Sequence, residues 1–127
     1  GQAYQVMFDY LEGGNMGGIY GEKLQESGYD GSGTGKRAEP EWRKYWKKGE
    51  WNHIRARITG DVPHIQVWMN GTLIVDWTDS ANHLPGGATA GMIALQAHRS
   101  TPGAKNSRWA PGGLHRYRNI AVKELKR

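Results

Sequence analysis

Residues 64–77 read HIQVWMNGTLIVDW. Asn70-Gly71 lies between two apolar-rich runs, and a type I′ turn needs φ > 0 at both central positions, which Asn and Gly tolerate best. The dipeptide therefore predicts a two-residue hairpin. On the incoming arm Ile65, Val67 and Met69 alternate with Gln66, Trp68 and Asn70. In a strand that period gives one apolar face and one face that sets an indole beside amides. The first is expected to be core, and the second is the candidate for function.

Outward from the hairpin the same period recurs. YQVMFDY (residues 4–10) sets Tyr4, Val6, Phe8 and Tyr10 against Gln5, Met7 and Asp9, and WNHIRARIT (51–59) sets Asn52, Ile54, Ala56 and Ile58 on one face. Residues 16–20 predict a second short strand, GMIALQAH (91–98) another, and residues 114–125 a last one. Ile65, Val67, Ile93, Leu95, Ile120 and Val122 are expected to be buried. Between these lie turn and loop signals: Gly13-Gly14-Asn15, a long polar stretch over 22–41, Gly60-Asp61-Val62-Pro63, Pro85-Gly86-Gly87, and residues 99–113. EWRKYWKK (41–48) is compatible with a single helical turn ended by Gly49. Short strands joined by turns, without a convincing helix or an internal repeat, predict an antiparallel sandwich or jelly roll rather than a βαβ fold.

Composition agrees. The 127 residues include 19 Gly, 6 Trp, 6 Tyr and one Phe, which suits strands and tight turns better than a helical bundle. A chain of this length fits one domain, residues 1–127. There is no cysteine, so disulfide and thiolate chemistry are excluded, and no apolar run is long enough to span a membrane as a helix. The net charge of +5 is spread over loops and strand faces, and no nucleic-acid-binding motif accompanies it. No HExxH, paired-His spacing or GxSxG occurs, so metalloprotease and serine-hydrolase readings have no support, and neither a metal nor another cofactor is expected.

If the apolar faces form the core, the opposite faces carry Gln5, Met7 and Asp9; Gln66, Trp68 and Asn70; Gln96 and His98; and Arg116 and Arg118. An aromatic ring that meets the C–H face of a pyranose, with amides, carboxylates and guanidinium groups for its hydroxyls, is a carbohydrate-binding set. Alternation alone favours Trp68 as a packing residue of a half-exposed sheet over a sugar platform. Glycoside hydrolysis usually needs two carboxylates. Asp9 is the one acid on the suspected face of its strand, while Glu12, Glu22 and Asp76 fall at strand ends or turns, where turn capping is the commoner role. His98 is either a base or a hydrogen-bonded structural residue. Trp42, Trp46 and Trp109 are expected to pack on the domain rather than rim a cleft.

Three stretches, GEWNHIRARITGDVPHIQVWMNGTLIVDWTD (49–79), GMIALQAH (91–98) and HRYRNIAVKEL (115–125), together resemble the 3-keto-disaccharide hydrolase family. YQVMFDY and GGIYGE (4–10 and 17–22) are similar to the motifs that precede them there. The resemblance implies a concanavalin-like jelly roll in a secreted protein, extracellular or periplasmic, that acts on glycosides oxidised at C3. It carries over Asp9, Trp68, Asn70, Gln96, His98, Arg118 and Asn119. The family's first two or three strands have no counterpart, so an incomplete jelly roll is expected, its open sheet edge covered by another copy in a homo-oligomer or by a missing segment. Gln5 and Met7 stand where the family has Glu and Gln, and Glu22 where it has Arg.

Two functions are then open. The first is a hydrolase or lyase on 3-keto-glycosides, in which His98, Asp9 or Glu22 moves the proton and Gln5, Trp68, Gln96, Arg116 and Arg118 hold the sugar. The second is a non-catalytic carbohydrate-binding or self-assembling β-sandwich module.

Overall fold

The computed structural model describes residues 2–10, 14–22, 24, 42–97 and 114–125, with Glu22 described by its backbone. By internal contacts the chain divides into residues 1–93 and 94–127. Among the described residues all regular structure belongs to the first unit. β1 (Ala3–Val6) and β2 (Ile19–Glu22) form one antiparallel pair, extended by Met7 N–H to the Gly18 carbonyl at 2.9 Å. A helical turn, α1 (Trp42–Tyr45), precedes a three-stranded antiparallel sheet in the order β3 (Ile54–Thr59), β4 (His64–Met69), β5 (Thr72–Thr78). A 3₁₀ turn, Pro85–Gly87, follows. The protein is all-β with antiparallel sheets, as its alternation and turn residues predict.

The hairpin at 70–71 forms as expected, with Asn70 at φ 48° and Gly71 at φ 89°. Asn70 does more than turn the chain. Its side-chain amide donates to the Tyr45 carbonyl at 2.7 Å and to Asn52 Oδ1 at 2.9 Å, and its oxygen accepts from His53 N–H at 2.8 Å. Asn52 in turn bonds both the N–H and the carbonyl of Lys47. The hairpin tip is thereby tied to α1 and to the start of β3. Asn70, expected to stand beside Trp68 on a binding face, instead has its side chain engaged by the backbone of Tyr45 and His53 and by Asn52.

β4 alternates strictly, with Ile65, Val67 and Met69 fully enclosed and His64, Gln66 and Trp68 half-exposed. β5 does not. The register pairs Val67 with Val75 but Trp68 with Leu73, so Ile74 is an extra residue. This β-bulge lets Ile74 and Val75 both point inward and leaves Leu73 and Asp76 outside.

The core joins Ile65, Val67, Met69, Ile74 and Val75 to Met16, Ile19 and Trp42, with Tyr4, Val6, Phe8, Tyr45, Trp46, Ile54 and Trp77 packed around them. The inner face of β1–β2 thus covers the inner face of β3–β4–β5, the two-layer arrangement that a half-apolar sheet needs. Glycine permits the close approach. A Cβ on Gly17 (φ 77°) would come within 2.4 Å of Ile74 Cδ1, and one on Gly18 within 2.1 Å of the Asn15 side chain. Trp42, at 2 % exposure, packs as expected, and Trp46 stacks on Tyr10 with ring centroids 5.1 Å apart.

Three expectations need correction. Residues 91–97 and 114–125 contain no strand. Ile93, Leu95, Ile120 and Val122, expected to be buried, are exposed, Ile93 by 76 %. Alternation decides which side chains share a face, but burial also requires a layer packed on that face, and these segments have neither a ladder partner nor a cover among the described residues. Ile58, on the inward period of β3 and paired with Ile65, has a ladder partner but is not enclosed, and stays 54 % exposed. The expectations for His98, Trp109, Glu12 and most of the 22–41 loop lie outside the described residues.

Candidate functional site

β1 and β4 bury their apolar faces against one core from opposite layers. Their polar faces consequently point out on opposite sides. Gln5, Met7 and Asp9, all half-buried, are on the outside of one layer, and Gln66 and Trp68 on the outside of the other. Gln5 and Trp68, both read as sugar contacts, therefore lie on different sheets. The β1–β2 register sets Tyr20 opposite Gln5 and Glu22 opposite Ala3. Gln96, Arg116 and Arg118 are exposed and belong to the second unit; His98 lies outside the described residues.

The outer face of β3–β4–β5 is built by cross-strand pairs. Arg55 is registered opposite Trp68, and its guanidinium lies 3.9 Å from the centre of the indole ring, a cation–π contact worth about 0.5–1 kcal/mol at an exposed site. Gln66 is registered opposite Asp76 and donates to Asp76 Oδ2 at 3.0 Å, while His64 Nε2 meets Asp76 Oδ1 at 2.6 Å. The hydrogen bond from His64, then that from Gln66, hold the Asp76 carboxyl below the ordinary value of 3.8. This face offers an indole, a guanidinium, a carboxylate and an amide, but both Asp76 oxygens are engaged and one face of Trp68 is covered.

A second constellation closes the end of the sandwich. Asp79 follows β5 directly, its N–H bonded to the Pro63 carbonyl at 3.0 Å. Its carboxylate is fully enclosed and accepts from Tyr4 Oη at 2.5 Å, from Ser80 N–H at 2.7 Å and from His83 Nδ1 at 3.1 Å. Tyr4 lies edge-on against Trp77, ring centroids 6.2 Å apart. The loop carrying His83 is held by Asn82, which donates to the Ala88 carbonyl at 3.1 Å and accepts from Leu84 N–H at 3.0 Å. A buried carboxylate is tolerated where several donors replace its water, and here two of them come from titratable side chains. Sequence reading missed this cluster. Asp79 and His83 are four residues apart in a segment without helical pattern, and nothing in the sequence links either to Tyr4. Among the described residues no group of three or more His, Cys, Asp or Glu is placed to hold a metal ion, and no helix is long and apolar enough to cross a membrane.

A two-layer antiparallel β domain with polar outer faces and a buried Tyr–Asp–His cluster belongs to the broad class of β-sandwich proteins. More narrowly, residues 2–123 match the 3-keto-alpha-glucoside-1,2-lyase-like domain, and the chain belongs to that family. No curated protein and no solved structure matches it.

Proposed function

We propose that this domain acts on glycosides carrying a ketone at C3, cleaving the glycosidic bond by elimination and subsequent hydration, in an extracellular or periplasmic setting. The observation that carries this reading is the family match over residues 2–123. The chemistry is accessible to ordinary side chains. A C3 ketone acidifies the C–H at C2, so a positioned base can form an enolate and the C1–O bond can leave without an oxocarbenium ion. In this reading Gln5, on β1, is a hydrogen-bonding residue of the sugar site. In the second unit the resemblance carries over Gln96, His98 and Arg118, and strand alternation adds Arg116. Asp9 and His98, which match the family, and Glu22, which departs from it, are the residues proposed for proton transfer. Trp68, on the far layer, contacts sugar only at a separate surface.

A second reading, a binding module without turnover, is favoured by one observation: Gln5 and Met7 stand where the resembling family has Glu and Gln, and an amide cannot accept the proton that a carboxylate can. A chromogenic 3-keto-α-glucoside separates the two. Release of the aglycone supports cleavage, whereas sugar binding by calorimetry without release supports the module.

A further inference from the structure

We propose that His83, oriented by Asp79, is the proton acceptor of this domain, at the end of the sandwich where β1 meets the loop after β5. The inference rests on the 3-keto-glycoside reading. Asp79 is a carboxylate with no solvent exposure, and a carboxylate can only accept, so His83 Nδ1 carries the proton in their 3.1 Å contact. In the neutral ring the lone pair is then on Nε2. That nitrogen has no hydrogen-bond partner among the described residues, although the ring is only 12 % exposed. A buried structural histidine normally satisfies both nitrogens. One with Nδ1 pinned by a buried carboxylate and Nε2 open has the arrangement of a general base, in which the carboxylate fixes tautomer and orientation and stabilises the imidazolium.

The carboxylate is itself fixed. Tyr4 Oη shares Oδ2 with His83, and Ser80 N–H takes Oδ1, so Asp79 cannot turn away from the ring without losing donors from both β1 and its own loop. Asn82, directly before His83, bonds the Leu84 N–H and the Ala88 carbonyl and so braces the chain that follows the ring. None of the outer-face groups has this build: the His64–Asp76 pair is open to water, with side-chain exposures of 36 % and 50 %.

The step balances without a co-reactant. Nε2 takes the proton at C2, and the C–H electron pair forms the enolate between C2 and C3. The enolate re-forms the C3 carbonyl as C1=C2 is made, and the C1–O pair departs on the glycosidic oxygen, which takes the proton back from the imidazolium. The products are an enone and an alcohol, with His83 neutral again.

The test compares wild type, His83→Ala and His98→Ala on the chromogenic 3-keto-α-glucoside, with and without added imidazole and with thermal melts of each. The inference expects a 10²–10⁴-fold loss in His83→Ala, partly restored by imidazole, which a merely structural histidine does not show. If His83→Ala does not fold, His83→Gln carries the test, since its amide can donate to Asp79 but cannot take the proton; the same loss is expected. Cleavage retained in a folded His83 variant, or lost in His83→Ala but not restored by imidazole, overturns the inference and leaves the lyase reading standing, with His98→Ala showing whether His98 holds the role. No cleavage by wild type overturns both.

Discussion

The Tyr4 hydroxyl donates to the enclosed Asp79 carboxylate at 2.5 Å across 75 residues of chain. It ties β1, in one layer, to the end of β5 in the other, at the point where the sandwich would otherwise open. Tyr4→Phe keeps the ring against Trp77 and removes only the donor. The expected cost is about 1–3 kcal/mol, the usual penalty for leaving a buried acceptor short of a partner. Urea unfolding measures it, with an unchanged m-value indicating that the fold itself is kept.

Asn70→Asp is expected to destabilise by about 2 kcal/mol, although it preserves the turn. Aspartate tolerates φ > 0 nearly as well as asparagine, but it loses both donors and sets a charge against the Tyr45 carbonyl and Asn52 Oδ1. Thermal unfolding of Asn70→Asp beside Asn70→Gly separates the side-chain loss from the turn preference.

Glycine substitutions are expected to divide by what surrounds them. Gly71 and Gly49 have φ 89° and φ 79° with nothing within 4 Å of a Cβ, so alanine there meets backbone strain alone, about 1–2 kcal/mol. Gly17 has φ 77° and Ile74 in the way as well, so Gly17→Ala costs more than Gly71→Ala, by about 1–3 kcal/mol of overpacking. Denaturant midpoints of the two variants give the comparison directly.

Asp76 sets an acid-side dependence. Its folded pKa is depressed by His64 and Gln66, so the stabilisation is complete above the unfolded value and is lost as pH falls through the folded one, below 3.8. In His64→Ala the carboxyl is expected to titrate closer to 3.8, and ¹³C NMR of the Asp76 carboxyl records the shift.

The hairpin was legible because Asn-Gly and strict alternation are local signals. The core side of β4 followed from them residue by residue. The β5 bulge leaves only a weak mark in the sequence, the run Leu73-Ile74-Val75 that breaks the two-residue period. Two kinds of error arose beyond the strand. Period two says that Gln5 and Trp68 each oppose an apolar face, but not that those faces are packed toward each other, and this is what sends the two residues to opposite sides. Nor does it supply a covering layer, so Ile93 and Val122 alternate as strand residues do and remain exposed. The Tyr4–Asp79–His83 cluster was invisible because it depends on a contact between the first strand and a loop far along the chain.

Incubating the wild-type protein with a 3-keto-glucoside in D₂O and following C2 by NMR tests the proposed chemistry most directly. Proton abstraction predicts cleavage through an enone, with deuterium at C2 of the hydrated product. Cleavage that leaves the C2 proton in place would indicate an oxocarbenium path and contradict the account, as would recovery of the substrate uncleaved and unlabelled.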